Sequence, residues 1–205
     1  MPLFAPVLGN SVVRLEPLTV VHADAMRAAV AEVPRDSFGY TRVPTPGTVE
    51  EYIAERLADA AGGAHVPFAQ FDAASDRLLG HTSYLNARFW PDGRVLAVEV
   101  GHTWLVPSAQ GRAVNSASKL LLFGYAFETL GVARVDLKSD ARNARSRAGI
   151  AAVGARFEGV LRSWQPSSAP GEDGLTRDTA MFSITAAEWP DTRTALEERL
   201  AAKLG

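Results

Sequence analysis

VPSAQGRAVNSASKLLLFGYAFETL, residues 106–130, decides the fold of this chain. It begins as a loop of small and polar residues, Pro107 to Val114. It then becomes a helix that is apolar almost all the way round: Leu120, Leu121, Leu122, Phe123, Tyr125, Ala126, Phe127 and Leu130. A helix with so little polar face is a buried one. The preceding AVEVGHTWLV, residues 97–106, reads as a strand. A strand thus feeds a glycine-containing loop, and the loop feeds the N-terminus of a buried helix. Unpaired backbone N–H groups and the positive end of a helix dipole meet there. Such a point suits an anion, phosphate above all. The loop is neither GxxxxGK[ST] nor GxGxxG. Many α/β proteins also contain a strand, a loop and a buried helix with no phosphate, so the rest of the unit must decide.

Composition narrows the classes. The chain has 205 residues, 47% of them hydrophobic, with a formal net charge of -2. That length suits one sizeable domain. The charge makes no overall case for nucleic acid or a membrane surface. The absence of cysteine excludes disulfides, thiolate catalysis and cysteine-based metal sites. No metal is expected. MPLFAPVLGN lacks the basic start and long apolar core of a signal peptide, and the apolar run near Leu120 is too short to span a bilayer. A soluble, cytoplasmic protein is expected.

Taken in order, Ser11–Leu18 alternates like a strand. Thr19–Val33 has helical spacing, with Thr19 as N-cap and Pro34 as stop. Arg35–Gly47 reads as an exposed loop. Thr48 caps a second helix that ends at Gly62-Gly63. His65–Asp72, Leu78–Arg88 and Val95–Val106 form an antiparallel meander, turning at Ala73–Arg77 and at Phe89–Arg94. After the buried helix closes at Gly131, Arg134–Ser139 is a strand. A helical crossover makes it parallel to the one before. A helix over Asn143–Val153 follows. Then come a strand at Ala155–Ser163, a flexible loop at Trp164–Thr176, a strand at Asp178–Thr185 and a charged C-terminal helix.

That order resembles the GCN5-related N-acetyltransferase superfamily. So do VPSAQGRAVN, NARSRAGIAAVGA (residues 143–155) and FEGVLR (residues 157–162). The chain looks most like the branch holding the ribosomal-protein N-terminal-alanine acetyltransferases. The resemblance implies an α/β, mixed-sheet fold: a mostly antiparallel sheet, one splayed parallel strand pair and flanking helices. It implies one domain over 1–205, with its core at about 12–189 and a C-terminal helix at 190–204. It also implies acetyl-CoA as co-substrate. The CoA pyrophosphate would lie on Gln110, Gly111, Arg112, Ala113, Val114 and Asn115. In the family pattern Gln/Arg-x-x-Gly-x-Gly/Ala, Gln110 takes the first position, Ala113 the glycine and Asn115 the glycine or alanine, and the last two depart from it. Ala113 disfavours a positive φ. Asn115 can cap the helix, and Gly111 restores loop freedom. The pantetheine arm would pair with the main chain near Leu105-Val106. Asn143 would bond that arm, or else simply cap its helix, or do both. Ser146 would meet the sulfur from one turn further on.

Acetylating an amine requires a proton to leave the amine, a polarised thioester oxygen and a departing thiol. Glu99 is the candidate base, an acid inside a strand beside the cofactor loop. Alternation groups it with Gly101, Thr103 and Leu105, and places Val98, Val100, His102 and Trp104 on the other, core face. A bulge, usual in the family here, would break that parity. Glu99 reads equally well as a residue on a solvated face. His102 is the second candidate. The family's acidic tyrosine falls at Ile150 and is missing, which leaves Ser146 or solvent to protonate the thiolate. Residues 134–162 carry seven Arg or Lys (Arg134, Lys138, Arg142, Arg145, Arg147, Arg156, Arg162) against three acids. That excess suits a polyanion, or a solvated face.

Transfer of acetyl to a primary amine, on a protein N-terminus or a small molecule, is therefore expected. The rival is a non-catalytic acyl-CoA-binding protein on the same fold, since fold does not guarantee activity. A nucleotide-binding α/β domain is disfavoured because the meander precedes the crossover. Phe38, Tyr40, Phe89, Trp90 and Trp164 fit either an apolar or peptide acceptor or a homodimer contact.

Overall fold

A computed structural model describes residues 2–34 and 37–204, so Arg35 and Asp36 of the expected loop lie outside the described residues. Strands β1 (Leu8–Gly9) and β2 (Val13–Pro17) open the chain. A 3-10 turn at Val20–His22 leads into α1 (Ala23–Ala31), and α2 (Val49–Ala61) follows. The meander is β3 (Val66–Asp72), β4 (Leu78–Phe89) and β5 (Val95–Leu105). Next come α3 (Val114–Gly124), β6 (Arg134–Asp140), α4 (Ala144–Ala151), β7 (Arg156–Pro166), β8 (Thr176–Thr185) and α5 (Trp189–Leu204).

The strands form one sheet in the order β1-β2-β3-β4-β5-β6-β8-β7. Every neighbouring pair is antiparallel except β5 and β6. That pair is joined through α3, the crossover that parallel strands require. Helix α2 covers one face, where the Tyr52 hydroxyl lies 3.2 Å from His81 Nδ1 on β4. Helix α3 covers the other, where the Tyr84 hydroxyl of β4 donates to the Leu122 carbonyl. Phe68, Tyr84, Val98, Leu122, Phe123 and Ile184 are fully buried between these layers. Gly80 is forced by this packing: a Cβ there would lie 2.0 Å from the Trp104 carbonyl oxygen.

The parallel pairing is short. Ala97, Val98 and Glu99 face Arg134, Val135 and Asp136, and there it stops. Beyond that point β5 stays on β4 as far as Leu105, and β6 stays on β8 as far as Asp140. The strands therefore part like a fork, and each leaves one main-chain edge open into the gap. Loop 106–113 and the N-terminus of α3 lie at the mouth of the fork.

Several local expectations give way. The Thr48 hydroxyl does not cap α2; it accepts from the Thr45 amide at 3.0 Å. Asn115 does not cap α3 either, because the N-cap is Ala113 and Asn115 lies in the first turn. Ala113 adopts a right-handed φ of -65°, so the missing glycine causes no strain, and Gly111 takes the positive φ of +73°. Helix α3 closes in a π turn at Tyr125–Thr129. Strands β7 and β8 extend toward each other and shorten the loop to 167–175. No described helix is long and apolar enough to cross a membrane.

Candidate active site

The fork opens into a cleft of about 1050 Å³. Leu105, Gln110, Gly111, Arg112, Asn115, Asn143 and Ser146 line it, together with Glu99 and His102. Val106, Ala113 and Val114 do not reach it; they are buried beneath the loop and contribute main chain only.

At the mouth, the Gly111, Arg112 and Ala113 amides donate to no backbone carbonyl among the described residues. The first turn of α3 adds further free N–H groups. Lys203 of α5 fixes the loop from behind, donating to the Gly111 and Arg112 carbonyls at 2.9 Å each. Gln110 Nε2 donates to the Leu105 carbonyl at 2.7 Å, and Arg145 of α4 reaches across to Gln110 Oε1. Arg112, Arg145, Arg199 and Lys203 all line this end. The expected basic patch is thus redrawn. Of the seven cations between 134 and 162, only Lys138 and Arg145 line the cleft. Arg134, Arg142 and Arg156 are held in ion pairs, and Arg147 lies over the Phe157 ring. Arg199 and Lys203 come from a helix with no sequence signal for this role.

Glu99 stands at the fork itself and is buried at 5% exposure. Its Oε2 accepts from Asn86 Nδ2 at 2.9 Å and pairs with Lys138 Nζ at 3.0 Å. Asn86 sits in a β4 bulge with a φ of +49°. A second bulge corrects the expected facing of β5. His81 opposes Trp104 and Ser83 opposes Gly101, so two residues of β5, His102 and Thr103, face Thr82 alone. His102 takes a φ of +50°. Thr103 consequently turns to α3, away from Glu99, while Trp104 turns to α2. His102 does not pack in the core. It opens to the cleft, 3.0 Å from a guanidinium nitrogen of Arg56. The cleft walls desolvate its ring and Arg56 repels a proton there, so its pKa falls well below the usual value.

Two buried groups carry no warning in the sequence. Lys119 of α3 is 5% exposed, lines the cleft, and donates to Thr103 Oγ1 at 2.9 Å. Burial pushes its amine down to about 7. His81 is pushed down to about 4 by burial. Lys119 directly precedes the apolar run from Leu120 and His81 follows Leu78-Leu79-Gly80, so periodicity singles out neither.

On α4, Asn143 is the N-cap. Its Oδ1 accepts from the Ser146 amide at 3.0 Å, while Nδ2 has no partner among the described residues. Phe38 and Tyr40 line the cleft as expected. Phe89, Trp90 and Trp164 do not; they are exposed elsewhere. Among the described residues no cluster of three or more His, Asp or Glu is placed to hold a metal ion.

The acetyltransferase (GNAT) domain matches residues 13–156. The chain belongs to the GNAT acetyltransferase family. A GCN5-related N-acetyltransferase from Brucella melitensis superposes with a TM-score of 0.82 at 26% identity, covering 98% of this chain and 87% of that one. A protein of T. thermophilus designated an acetyltransferase gives 0.80 at 30% identity, covering 98% and 100%. Mycobacterium smegmatis RimJ, solved with a CoA-disulfide, shares the fold at 0.74 and 21% identity, covering 97% and 94%. No protein of curated function matches the chain. As a GNAT protein it is an acetyl-CoA-dependent acyltransferase, with a mixed sheet and one parallel pair. The free amides, the basic rim and the open strand edges all suit a long polyanionic thioester.

Proposed function

We propose that this GNAT enzyme acetylates a primary amine by direct attack within a ternary complex. What supports this most is the placement of Glu99 where the parallel strands part, one strand length from the anion-binding loop. The loop amides of 111–116 and the basic rim hold the pyrophosphate. The open edges of β5 and β6 receive the pantetheine arm, with Asn143 Nδ2 as a side-chain donor. The thioester then lies near Gly101 and Ser146. Glu99, positioned by Asn86 and Lys138, draws the proton from the entering ammonium directly or through water. His102, neutral at pH 7, is the second acceptor in reach of the same space. Ser146 Oγ donates to the departing sulfur. The CoA-disulfide bound to the fold-level neighbour RimJ is in keeping with acetyl-CoA as co-substrate.

The test is thiol release from acetyl-CoA with a panel of primary amines, run beside calorimetry of CoA alone. Amine-dependent release with CoA bound is the expected result. CoA binding without release for any amine would leave only the binding half of the reading, and no CoA binding at millimolar concentration would end it.

A further inference from the structure

Among the described residues, five buried side-chain atoms have no hydrogen-bond partner: Glu55 Oε2, Arg56 Nε, His65 Nδ1, Arg177 Nε and Thr179 Oγ1. Three of them, on Arg56, His65 and Arg177, belong to residues that line the same cleft. All three are nitrogens, and a guanidinium N–H can only donate. Buried polar groups are almost always paired, and an unpaired one raises the free energy of the fold. Two orphan guanidinium donors, Arg56 Nε and Arg177 Nε, on residues of one cleft point to an acceptor that arrives with a ligand.

The charges agree. The acids that line the cleft already have cationic partners in the protein: Asp59 with Arg56 at 3.2 Å, Glu99 with Lys138 at 3.0 Å and Asp140 with Arg142 at 2.7 Å. Arg177 has no ion-pair partner among the described residues. It projects from β8 opposite Gln165 of β7, within electrostatic reach of both Asp140 and Glu99. Burial desolvates the guanidinium and lowers its pKa, and neither acid forms an ion pair with it. Arg177 is also remote in sequence from the phosphate loop, whose anion already has its own donors in Arg112, Arg145, Arg199 and Lys203.

We propose that the acceptor amine carries a carboxylate, which Arg177 holds while the ammonium faces Glu99. A small zwitterion of the amino-acid type satisfies both ends at once. A peptide N-terminus presents a neutral amide where the carboxylate would lie, and leaves Arg177 unpaired. The carboxylate is unchanged in the reaction. The amine nitrogen bonds the acetyl carbon, the C–S bond breaks, the sulfur leaves as a thiol, and one proton passes to solvent. The proposal rests on the acetyl-transfer reading and names the substrate class of that same site.

The experiment uses the standard amino acids, each beside its carboxamide, so that a pair differs only in the carboxylate. Thiol release and calorimetry on the CoA-loaded protein are both read. At least one acid should exceed its amide by about tenfold or more, equivalent to ~1.4 kcal/mol. In Arg177→Gln that preference should fall to near unity through a higher KM for the acid, with the KM for acetyl-CoA unchanged. Arg177→Lys should recover part of it. The melting temperature of Arg177→Gln should not drop, since the side chain has no internal partner to lose. Equal use of acids and amides by the wild type, or a preference that survives Arg177→Gln, overturns the proposal. So does a calorimetric panel in which no amino acid binds. Amino acids that bind in an Arg177-dependent way without thiol release keep the anion site and sink the acetyl-transfer reading instead.

Discussion

Glu99 Oε2 meets both an amide donor and an ammonium, which leaves Oε1 as the free oxygen. Gly101 gives it room: a Cβ at that position would lie 3.0 Å from Oε1. Glu99→Gln keeps the shape of the side chain but removes the base. It should lower the acetyl-transfer rate by ~10²–10⁴-fold and leave CoA affinity nearly unchanged. A rate within a factor of about two of wild type moves the role to His102 or water. Lys119 offers the opposite test, because it weakens the fold. Its amine titrates near 7 when folded, against 10.5 when free. Between those values the unfolded chain binds more protons, so stability rises as pH rises from about 7 toward 10. Below 7 the full penalty applies, on the order of 5 kcal/mol at most. Lys119→Met should therefore raise the melting temperature clearly at pH 6 and hardly at pH 10.5. An equal change at both pH values would mean that packing, and not charge, is what the substitution altered.

The elements themselves are legible because each carries a strong local signal. Alternation marks β2 and β8, turn signals bound the strands of the meander, Pro34 and the Gly62-Gly63 pair stop helices, and the crossover length makes β5 and β6 parallel. The bulges are not legible. Asn86 and His102 are ordinary residues forced to positive φ by register, and register belongs to two strands at once. The facing of His102 therefore escapes a reading by alternation, while its strand does not. Helix α4 is the case where a local rule and a family role fall on one residue. Asn143 Oδ1 caps the helix and Nδ2 is left for a ligand. Asn143→Ala should lower stability by ~1 kcal/mol through the cap. It should also weaken CoA by ~0.5–1.5 kcal/mol through the lost donor. Thermal unfolding with and without CoA separates the two, since a lower melting temperature with an undiminished CoA shift means the cap alone. Ser146→Ala should slow turnover and spare affinity, because the sulfur gains charge only as its bond breaks. A raised KM for acetyl-CoA at constant turnover would make Ser146 one more binding residue.

At the scale of the whole molecule, the end of the cleft proposed for the cofactor is assembled from segments far apart in sequence. Arg112 comes from the loop, Arg145 from α4, and Arg199 and Lys203 from the last helix. The loop and the Asn-x-x-Ser helix can be found from sequence, since each is one continuous stretch. The α5 cations cannot, because their place depends on how α5 packs on α3. That packing is set by Trp189, whose ring stacks on Phe127 at 5.3 Å and meets Phe123 edge-on. The chain as a whole is slightly acidic, at -2, so attraction of a polyanion must come from this local cluster and not from net charge. Exposed charges are screened over about 10 Å at roughly 0.1 M salt. CoA affinity measured by calorimetry should therefore fall steadily between about 0.05 M and 0.5 M salt. Lys203→Met should lower it further and flatten that slope. It removes one cation and also frees the Gly111 and Arg112 carbonyls, which Lys203 now holds. Dephospho-CoA separates the two effects. If Lys203 acts mainly on the loop, the variant should weaken CoA and dephospho-CoA by the same factor, whereas a loss confined to CoA would place Lys203 on the 3′-phosphate.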